Sequence, residues 1–367
     1  DYNTENLAKK QLKLVATHLA PAKLVRIELD QRVLDGVNKE LGESLWIRQG
    51  YDDVMRSLAG QFGLLSAESL TSGPEANALT ADGGFSKAYS QRGWSDAVRR
   101  SLEEKSEGIA RTFTELQIPH DVEGIQRRLV ERFAGDHQRH WLGLLASTRA
   151  NGVRELRDAP DTILRLTGKD SPYPGLVKTA LSELALETTG YRLLGPSEKI
   201  DWTEPALQAM AELRKDLQQF LAATEPGRRS ADTKRVKDLA DRFNAISARI
   251  GETLGAVQPS EKRAALQKGL DHILRSLWEP LDREMAQEQD RVWRDQVHRA
   301  FSSGLAGKFP FADAPTEVPL VDFARMFNPV SGWLWGAVRP IEELRTIQVV
   351  GASALTLSEA YQGTLAR

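Results

Sequence analysis

The stretch Val236-Lys-Asp-Leu239-Ala-Asp-Arg-Phe243-Asn-Ala-Ile246-Ser-Ala-Arg-Ile250-Gly-Glu-Thr-Leu254-Gly-Ala-Val257 spaces its large apolar residues three and four apart. That period lays them along one stripe of an α-helix and leaves Lys237, Asp238, Asp241 and Arg242 for the wet face. Upstream, Ala206, Met210, Leu213, Leu217 and Phe220 repeat the pattern; downstream, so do Leu270, Ile273, Leu277 and Leu281. Turn chemistry separates the three runs. Pro226-Gly227-Arg228-Arg229 breaks the first from the second, and Gln258-Pro259-Ser260 breaks the second from the third, with Ser260 as the expected N-cap. Pro280 falls inside the third run and predicts a kink or a restart there. The reading over 205–303 is three long antiparallel helices, a bundle or a shaft.

The same period extends towards the N-terminus. Val122, Ile125, Leu129, Phe133, His137 and Trp141 form one stripe; Val25, Leu29, Val33, Val37, Leu41 and Leu45 form another. Ser72-Gly73-Pro74 and Asp82-Gly83-Gly84 bracket a loop, Pro119 ends a helix, and Asp121 reads as the N-cap of the next. Ser171-Pro172-Tyr173-Pro174-Gly175 separates two short helices, and Gly195-Pro196-Ser197 is the best domain boundary. Strict period-2 alternation is almost absent before residue 340, and no repeat of fixed length is seen. The fold class is therefore all-α: elongated multi-helix bundles, with an irregular, aromatic and Pro-rich C-terminal segment. The expected divisions are 1–80, 81–195, 196–303 and 304–367.

In that last division the composition shifts. Prolines 310, 315, 319, 329 and 340 accompany Phe309, Phe311, Phe323, Phe327, Trp333 and Trp335. After 344, Ile347, Val349, Val350 and Leu355 predict a short strand, followed by a helix from Ser358.

The 367 residues carry 49 Lys+Arg against 51 Asp+Glu, a net charge of −2, so nucleic-acid binding through bulk positive charge is excluded. No Cys is present, which removes disulfides, thiolate zinc sites and a cysteine nucleophile. No apolar run approaches the ~18 residues needed to span a bilayer, and the start, Asp-Tyr-Asn-Thr-Glu, is not a signal peptide. An opening without Met reads as a mature, processed or excised chain.

Motifs that would carry chemistry are incomplete. Asp136, His137 and His140 share a helix, but a third ligand at helical spacing is lacking, and His137 sits on the apolar stripe as a half-buried structural residue. Gly304-Leu-Ala-Gly-Lys308 has Ser302 and Phe309 where a phosphate loop needs Gly and Ser/Thr. Gly351-Ala-Ser353-Ala-Leu355 lacks the second Gly of a nucleophile elbow. Glu103-Glu104, Glu342-Glu343 and the basic group Arg228, Arg229, Lys234, Arg235 and Lys237 read as solvated faces and helix-end charges. The expectation is no catalysis, no cofactor and no metal.

Four blocks carry a resemblance. Residues 289–335 contain Trp293-Arg-Asp-Gln-Val297, Leu305-Ala-Gly-Lys308-Phe309-Pro310-Phe311, Asp322-Phe323 and Phe327-Asn-Pro329-Val-Ser-Gly332. Phe85-Ser-Lys-Ala-Tyr89-Ser-Gln-Arg-Gly93-Trp94, Leu166-Thr-Gly-Lys-Asp-Ser171-Pro172 and Trp141 follow the same order of elements. Together they resemble the periplasmic part of the IcmF family of type VI secretion inner-membrane proteins (TssM-type). The first 80 residues match that pattern only loosely, and Trp94 stands where the family has Tyr.

The resemblance implies a soluble periplasmic portion of a longer inner-membrane protein in a Gram-negative envelope. It implies a periplasm-spanning scaffold that self-assembles as a homo-oligomer around a channel. A TssJ-type outer-membrane lipoprotein would dock mainly on a β-rich domain beyond Arg367, and a TssL-type inner-membrane protein would bind through other segments. It further implies that Phe309, Pro310, Phe311, Phe323 and Phe327 pin the C-terminal segment onto the helical shaft, with Trp293 and Phe311 buried. Two other functions stay open at this point: a helical adaptor of another assembly, or an enzyme with an unseen site.

Overall fold

The computed structural model describes residues 31–115, 118–188, 191–192 and 201–356. Among them the architecture is all-α, and the strands are four antiparallel pairs of two residues each. Gly195–Ser197, Val25, Leu29 and the stretch from Leu357 lie outside the described residues. The chain divides into two compact units, residues 1–53 with 103–129 and residues 54–102 with 130–367.

In the first unit lie most of helix α1 (Gln31–Ala59), most of α2 (Arg99–Glu115) and the start of α3 (Val122–Ala146). Ile109, Phe113, Ile125 and Leu129 are buried there, with the Trp46 ring set edge-on to Phe113 at 6.4 Å. Leu45, assigned by its spacing to an apolar stripe, is exposed. Asp121 stands directly before α3, and its carbonyl accepts from the Ile125 N–H at 2.9 Å.

The second unit holds one continuous core running from Leu65 to Leu355. Along α3 the stripe residues Phe133, His137 and Trp141 are all buried, Trp141 within this core and Phe133 stacked on Trp94 at 4.8 Å. Helices α4 (Ala159–Thr167) and α5 (Tyr173–Leu184) follow, and each opens with a proline in its first turn, where no amide bond is lost. Helices α6 (Thr203–Ala223), α7 (Thr233–Thr253) and α8 (Ser260–Val292) are the three predicted long helices. Their stripes meet as expected: Met210, Leu213, Leu217, Val236, Phe243, Ile250, Leu270 and Leu277 are all fully buried. Trp278 packs edge-on to Phe243 at 5.3 Å. Removing roughly 200 Å² per ring from water is worth about 5 kcal/mol each at 25 cal/mol/Å².

Three expectations change. Helix α8 runs through Pro280 without restarting. The Ser276 hydroxyl one turn earlier donates to the Ile273 carbonyl at 2.7 Å and accepts from the Ala150 N–H at 3.0 Å, so that buried hydroxyl is paired on both sides. The cap of α8 is Pro259 rather than Ser260, whose hydroxyl bonds Glu261 instead. And the segment 304–340 is not irregular throughout, because it contains α9 (Leu320–Phe327) and most of α10 (Trp333–Thr346).

The apolar tail forms a hairpin instead of a lone strand, Gln348–Val349 against Ala352–Ser353. Its turn residues Val350 and Gly351 have φ of 49° and 77°. A β-branched residue in that region is strained, at a cost on the order of 1–3 kcal/mol. Asn244 of α7 holds it there, accepting from the Val350 N–H at 2.7 Å and donating to the Gln348 carbonyl at 2.8 Å. Arg275 of α8 donates to the Val349 and Ser353 carbonyls at 2.9 and 2.8 Å, and the Trp278 indole donates to the Ala354 carbonyl at 3.0 Å.

Candidate interaction surface

The C-terminal end of α8 continues through a π-helical turn, Trp293–His298, into a short helix, Arg299–Gly304. A second π-helical turn covers Trp94–Val98. Both read Trp-x-Asp-x-Val, and in both the valine is buried while the aspartate pairs with an arginine (Asp96 with Arg92, Asp295 with Arg299). The extra residue per turn rotates the helix face, so that Val297 turns inward beside Leu305, Met326 and Ala337. Those four residues are the buried centre of a small aromatic module, and Trp293 packs half-buried against them.

The loop after Leu305 is ordered by backbone bonds. The Phe309 N–H donates to the Thr316 carbonyl at 2.9 Å, and the Val318 N–H donates to the Phe309 carbonyl at 3.0 Å. Pro310 fixes the turn between Phe309 and Phe311, whose N–H reaches the Lys308 carbonyl at 2.8 Å. Phe311 is then the hub of a ring cluster, with centroids 5.1 Å from Phe301, 6.2 Å from Phe323 and 5.6 Å from Phe327. Such pairs add about 0.5–1.5 kcal/mol beyond area burial.

The Phe327-Asn-Pro329-Val-Ser-Gly332 element closes the module. The Asn328 carboxamide oxygen accepts from the Val330 and Ser331 N–H groups at 2.9 and 3.0 Å. A Cβ at Gly332 would lie 2.6 Å from both the nitrogen and the oxygen of Asn328, so only glycine fits that approach. Asp322 pairs with Arg325 at 3.4 Å, and the Arg325 guanidinium stands 6.0 Å from the Trp333 ring centroid.

Two residues depart from the expected burial. Phe311 is 37% exposed, and Trp293 is only half-buried. Phe309 is exposed by 54%, and Phe323, Trp333 and Trp335 are also open to solvent. The reason is size: the module buries four residues fully, too few to cover so many rings. Leu320, Val321 and Val330 add to the exposed set and were not singled out from the sequence, although Leu320 is 81% exposed. For Leu320 and Val321 the signal was in α9, where six of eight residues are apolar and only Met326 is buried. These exposed apolar side chains make the module the candidate interaction surface.

The other candidates disperse. His137 is buried with its Nε2 3.0 Å from the Glu183 carbonyl, and desolvation holds its pKa below the ordinary value. His140 stacks on Phe85 at 5.1 Å. Lys308 belongs to the aromatic loop, and Ser353 to the C-terminal hairpin. Among the described residues no group of three His, Asp or Glu side chains could hold a metal ion. No helix among them is long and apolar enough to cross a membrane.

A family profile described as "IcmF-related: Intracellular multiplication and human macrophage-killing" matches residues 1–185, half of the chain. It begins at the first residue, so the N-terminal 80 residues are part of the family pattern rather than a loose match. Two solved structures are similar. A "Type VI secretion system membrane core complex" chain is 15% identical over 81% of this chain, with a TM-score of 0.42. A "Type VI membrane complex" chain is 16% identical over 87%, with a TM-score of 0.41. This chain spans 62% of the length of the first and 68% of the second. No curated protein matches the sequence.

Proposed function

The chain belongs to the IcmF-related family, and from that premise we propose that it is a non-catalytic, structural part of a type VI secretion membrane complex, placed in the periplasm. The observation that carries this reading is the aromatic module. Its residues Trp293, Val297, Phe309, Pro310, Phe311, Asp322, Phe323, Phe327, Pro329 and Gly332 are the ones on which the resemblance to the family rests in this segment, and Phe309, Phe311 and Phe323 among them lie open to solvent. Trp293, Val297, Pro310, Pro329 and Gly332 shape the module. Phe309, Phe311 and Phe323 present its apolar face, together with Leu320, Val321 and Val330.

The occupant proposed for that face is a neighbouring copy of the same chain in the ring around the channel. The segment carries charges of both signs, Lys308, Arg325 and Arg339 beside Asp313, Glu317 and Asp322. A copy therefore meets no net repulsion at the rim. The bundle α6–α8 is the rigid support, and the hairpin tied down by Asn244 and Arg275 holds the chain on that support as far as Thr356. Docking of a TssJ-type lipoprotein is assigned to a β-rich domain outside residues 1–367, because among the described residues the strands are two residues long and offer no sheet for it. Contact with a TssL-type protein is assigned to other segments of the natural protein.

The test is Phe309→Ser, Val330→Ser and Trp335→Ser combined in the natural full-length protein. Membrane complexes are then recovered from the envelope, and site-specific crosslinks between copies are scored. The reading predicts unchanged protein level with loss of both complex recovery and crosslinks. Complexes assembling normally with these three residues replaced would refute the role of this face.

A further inference from the structure

A second feature of the long-helix unit is a cavity of about 540 Å³. Three segments wall it: the loop Arg154–Arg157, the turn between α6 and α7, and one face of α8. Its charged lining is Arg154, Arg157, Arg229 and Arg283 against Glu155 and Glu284, an excess of two positive charges in a chain whose net charge is −2.

The two carboxylates are already engaged. Glu155 pairs with the Arg157 Nε at 2.8 Å. Glu284 uses one oxygen to accept from the Gly227 N–H at 3.1 Å and the other to pair with buried Arg229. Arg154 and Arg283 therefore have no carboxylate partner among the described residues. Arg283 Nη2 donates to the Arg154 backbone carbonyl at 3.2 Å, which ties α8 to the loop that carries Arg154. Both side chains are exposed and line the same cavity, where an oxyanion can take several of their N–H donors.

Size and wall chemistry narrow the ligand. The space is in the range of sites that hold a ligand of many atoms, and a lone phosphate would leave most of it wet. Leu156, Pro226 and Pro280 supply apolar wall between the charges, and Gln287 supplies an amide. A membrane surface is too flat to reach into such a recess. We propose that this cavity binds an acidic peptide segment of a partner polypeptide, with two carboxylates on Arg154 and Arg283 and aliphatic stems against the prolines. This goes beyond the structural role above and does not depend on it.

The experiment uses the whole chain and three probes: a capped hexapeptide with two glutamates flanking a leucine, the same peptide with glutamines, and inorganic phosphate. Binding is followed by calorimetry at low and at physiological salt. The expected result is saturable binding of the glutamate peptide that weakens with salt. The glutamine peptide and phosphate should each bind at least about tenfold more weakly, in line with a charge-assisted pair of contacts. Arg154→Ala with Arg283→Ala should weaken the glutamate peptide by about tenfold or more with an unchanged thermal midpoint, since both side chains are exposed. Arg154→Lys with Arg283→Lys should restore part of it. No binding of the glutamate peptide, equal binding of the glutamine peptide, phosphate binding as tightly as the peptide, or indifference to the alanine pair would each overturn the proposal.

Discussion

Replacing Gly269 by alanine sets two opposed effects against each other at one position. In a helix interior, alanine is favoured over glycine by about 1 kcal/mol. Gly269 sits in α8, so propensity alone predicts stabilisation. Its surroundings decide otherwise. A Cβ built on Gly269 would lie 2.1 Å from the Leu145 carbonyl oxygen, 3.2 Å from that carbonyl carbon and 3.8 Å from the Thr148 Cβ. Ordinary carbon–oxygen contacts need about 1 Å more than the first of these.

The obstacle is backbone at the end of α3 and cannot rotate aside. Nor can it slide freely. Leu144 and Leu145 are buried, Thr148 is buried with its hydroxyl bonded to the Leu144 carbonyl at 3.0 Å, and Ala150 is tied to Ser276 two turns along α8. Overpacking of this kind costs about 1–3 kcal/mol. Loss of the Ala150–Ser276 bond adds about 1 kcal/mol. After the propensity gain, Gly269→Ala should destabilise by about 1–3 kcal/mol.

Gly135→Ala is the matched control, in the interior of α3 with nothing within 4 Å of the added methyl. It should stabilise by about 0.5–1 kcal/mol. The assay is urea unfolding followed by helical dichroism, with hydrogen exchange at the Ala150 amide as a local readout. Gly269→Ala should lower the midpoint and accelerate that exchange. If the two variants behave alike, the close packing of α8 on the end of α3 is wrong.

Phe311→Ala should cost about 1–2 kcal/mol, because the ring is already part-exposed, whereas Trp278→Ala should cost about 3–5 kcal/mol; equal shifts in urea midpoint would contradict the burial difference. Arg275→Ala should release the C-terminal hairpin, read as faster hydrogen exchange at Ala354 with little change at α6, since both of its carbonyl contacts lie on the hairpin. His137 predicts a pH effect with a definite sign. Its native pKa is lowered from 6.5 by burial, so below about 6.5 the unfolded chain takes up protons that the native state refuses, and stability falls as pH drops from 7 towards 5. Glu183, whose carboxyl burial raises above 4.5, works in the opposite sense over the region above that value. His137→Gln keeps a donor for the Glu183 carbonyl and should flatten the fall, whereas an unchanged slope would place its origin elsewhere.

The helices were legible because their signal is local. In α7, residues three and four apart share a face whatever the helix packs on, so Val236, Leu239, Phe243, Ile246 and Ile250 could be assigned to the core from spacing alone. What α8 packs on was not local: its Ser276 hydroxyl accepts from the Ala150 N–H, 126 positions earlier in the chain. The hairpin at the chain's end is a similar case. Nothing in Val349-Val350-Gly351 announces a valine with positive φ, because the bond that holds it comes from Asn244, 106 positions earlier.

The candidate surface was half legible, and the missing half has a physical cause. Aromatic density and the Phe327-Asn-Pro329-Val-Ser-Gly332 order singled out the segment that folds into the aromatic module, and the crowding at Gly332 accounts for its glycine. Composition cannot say whether a phenyl ring is buried, however, since that depends on how much other material is present to cover it. In α6–α8 three long helices share one core, and Phe243 disappears into it. Around α9, four buried residues must serve Phe301, Phe309, Phe311, Phe323, Phe327, Trp333 and Trp335 at once. The rings therefore shield one another in a cluster and leave their outer edges in water. The exposure that corrects the expected burial of Phe311 is thus the same property on which the proposed contact with a neighbouring copy rests.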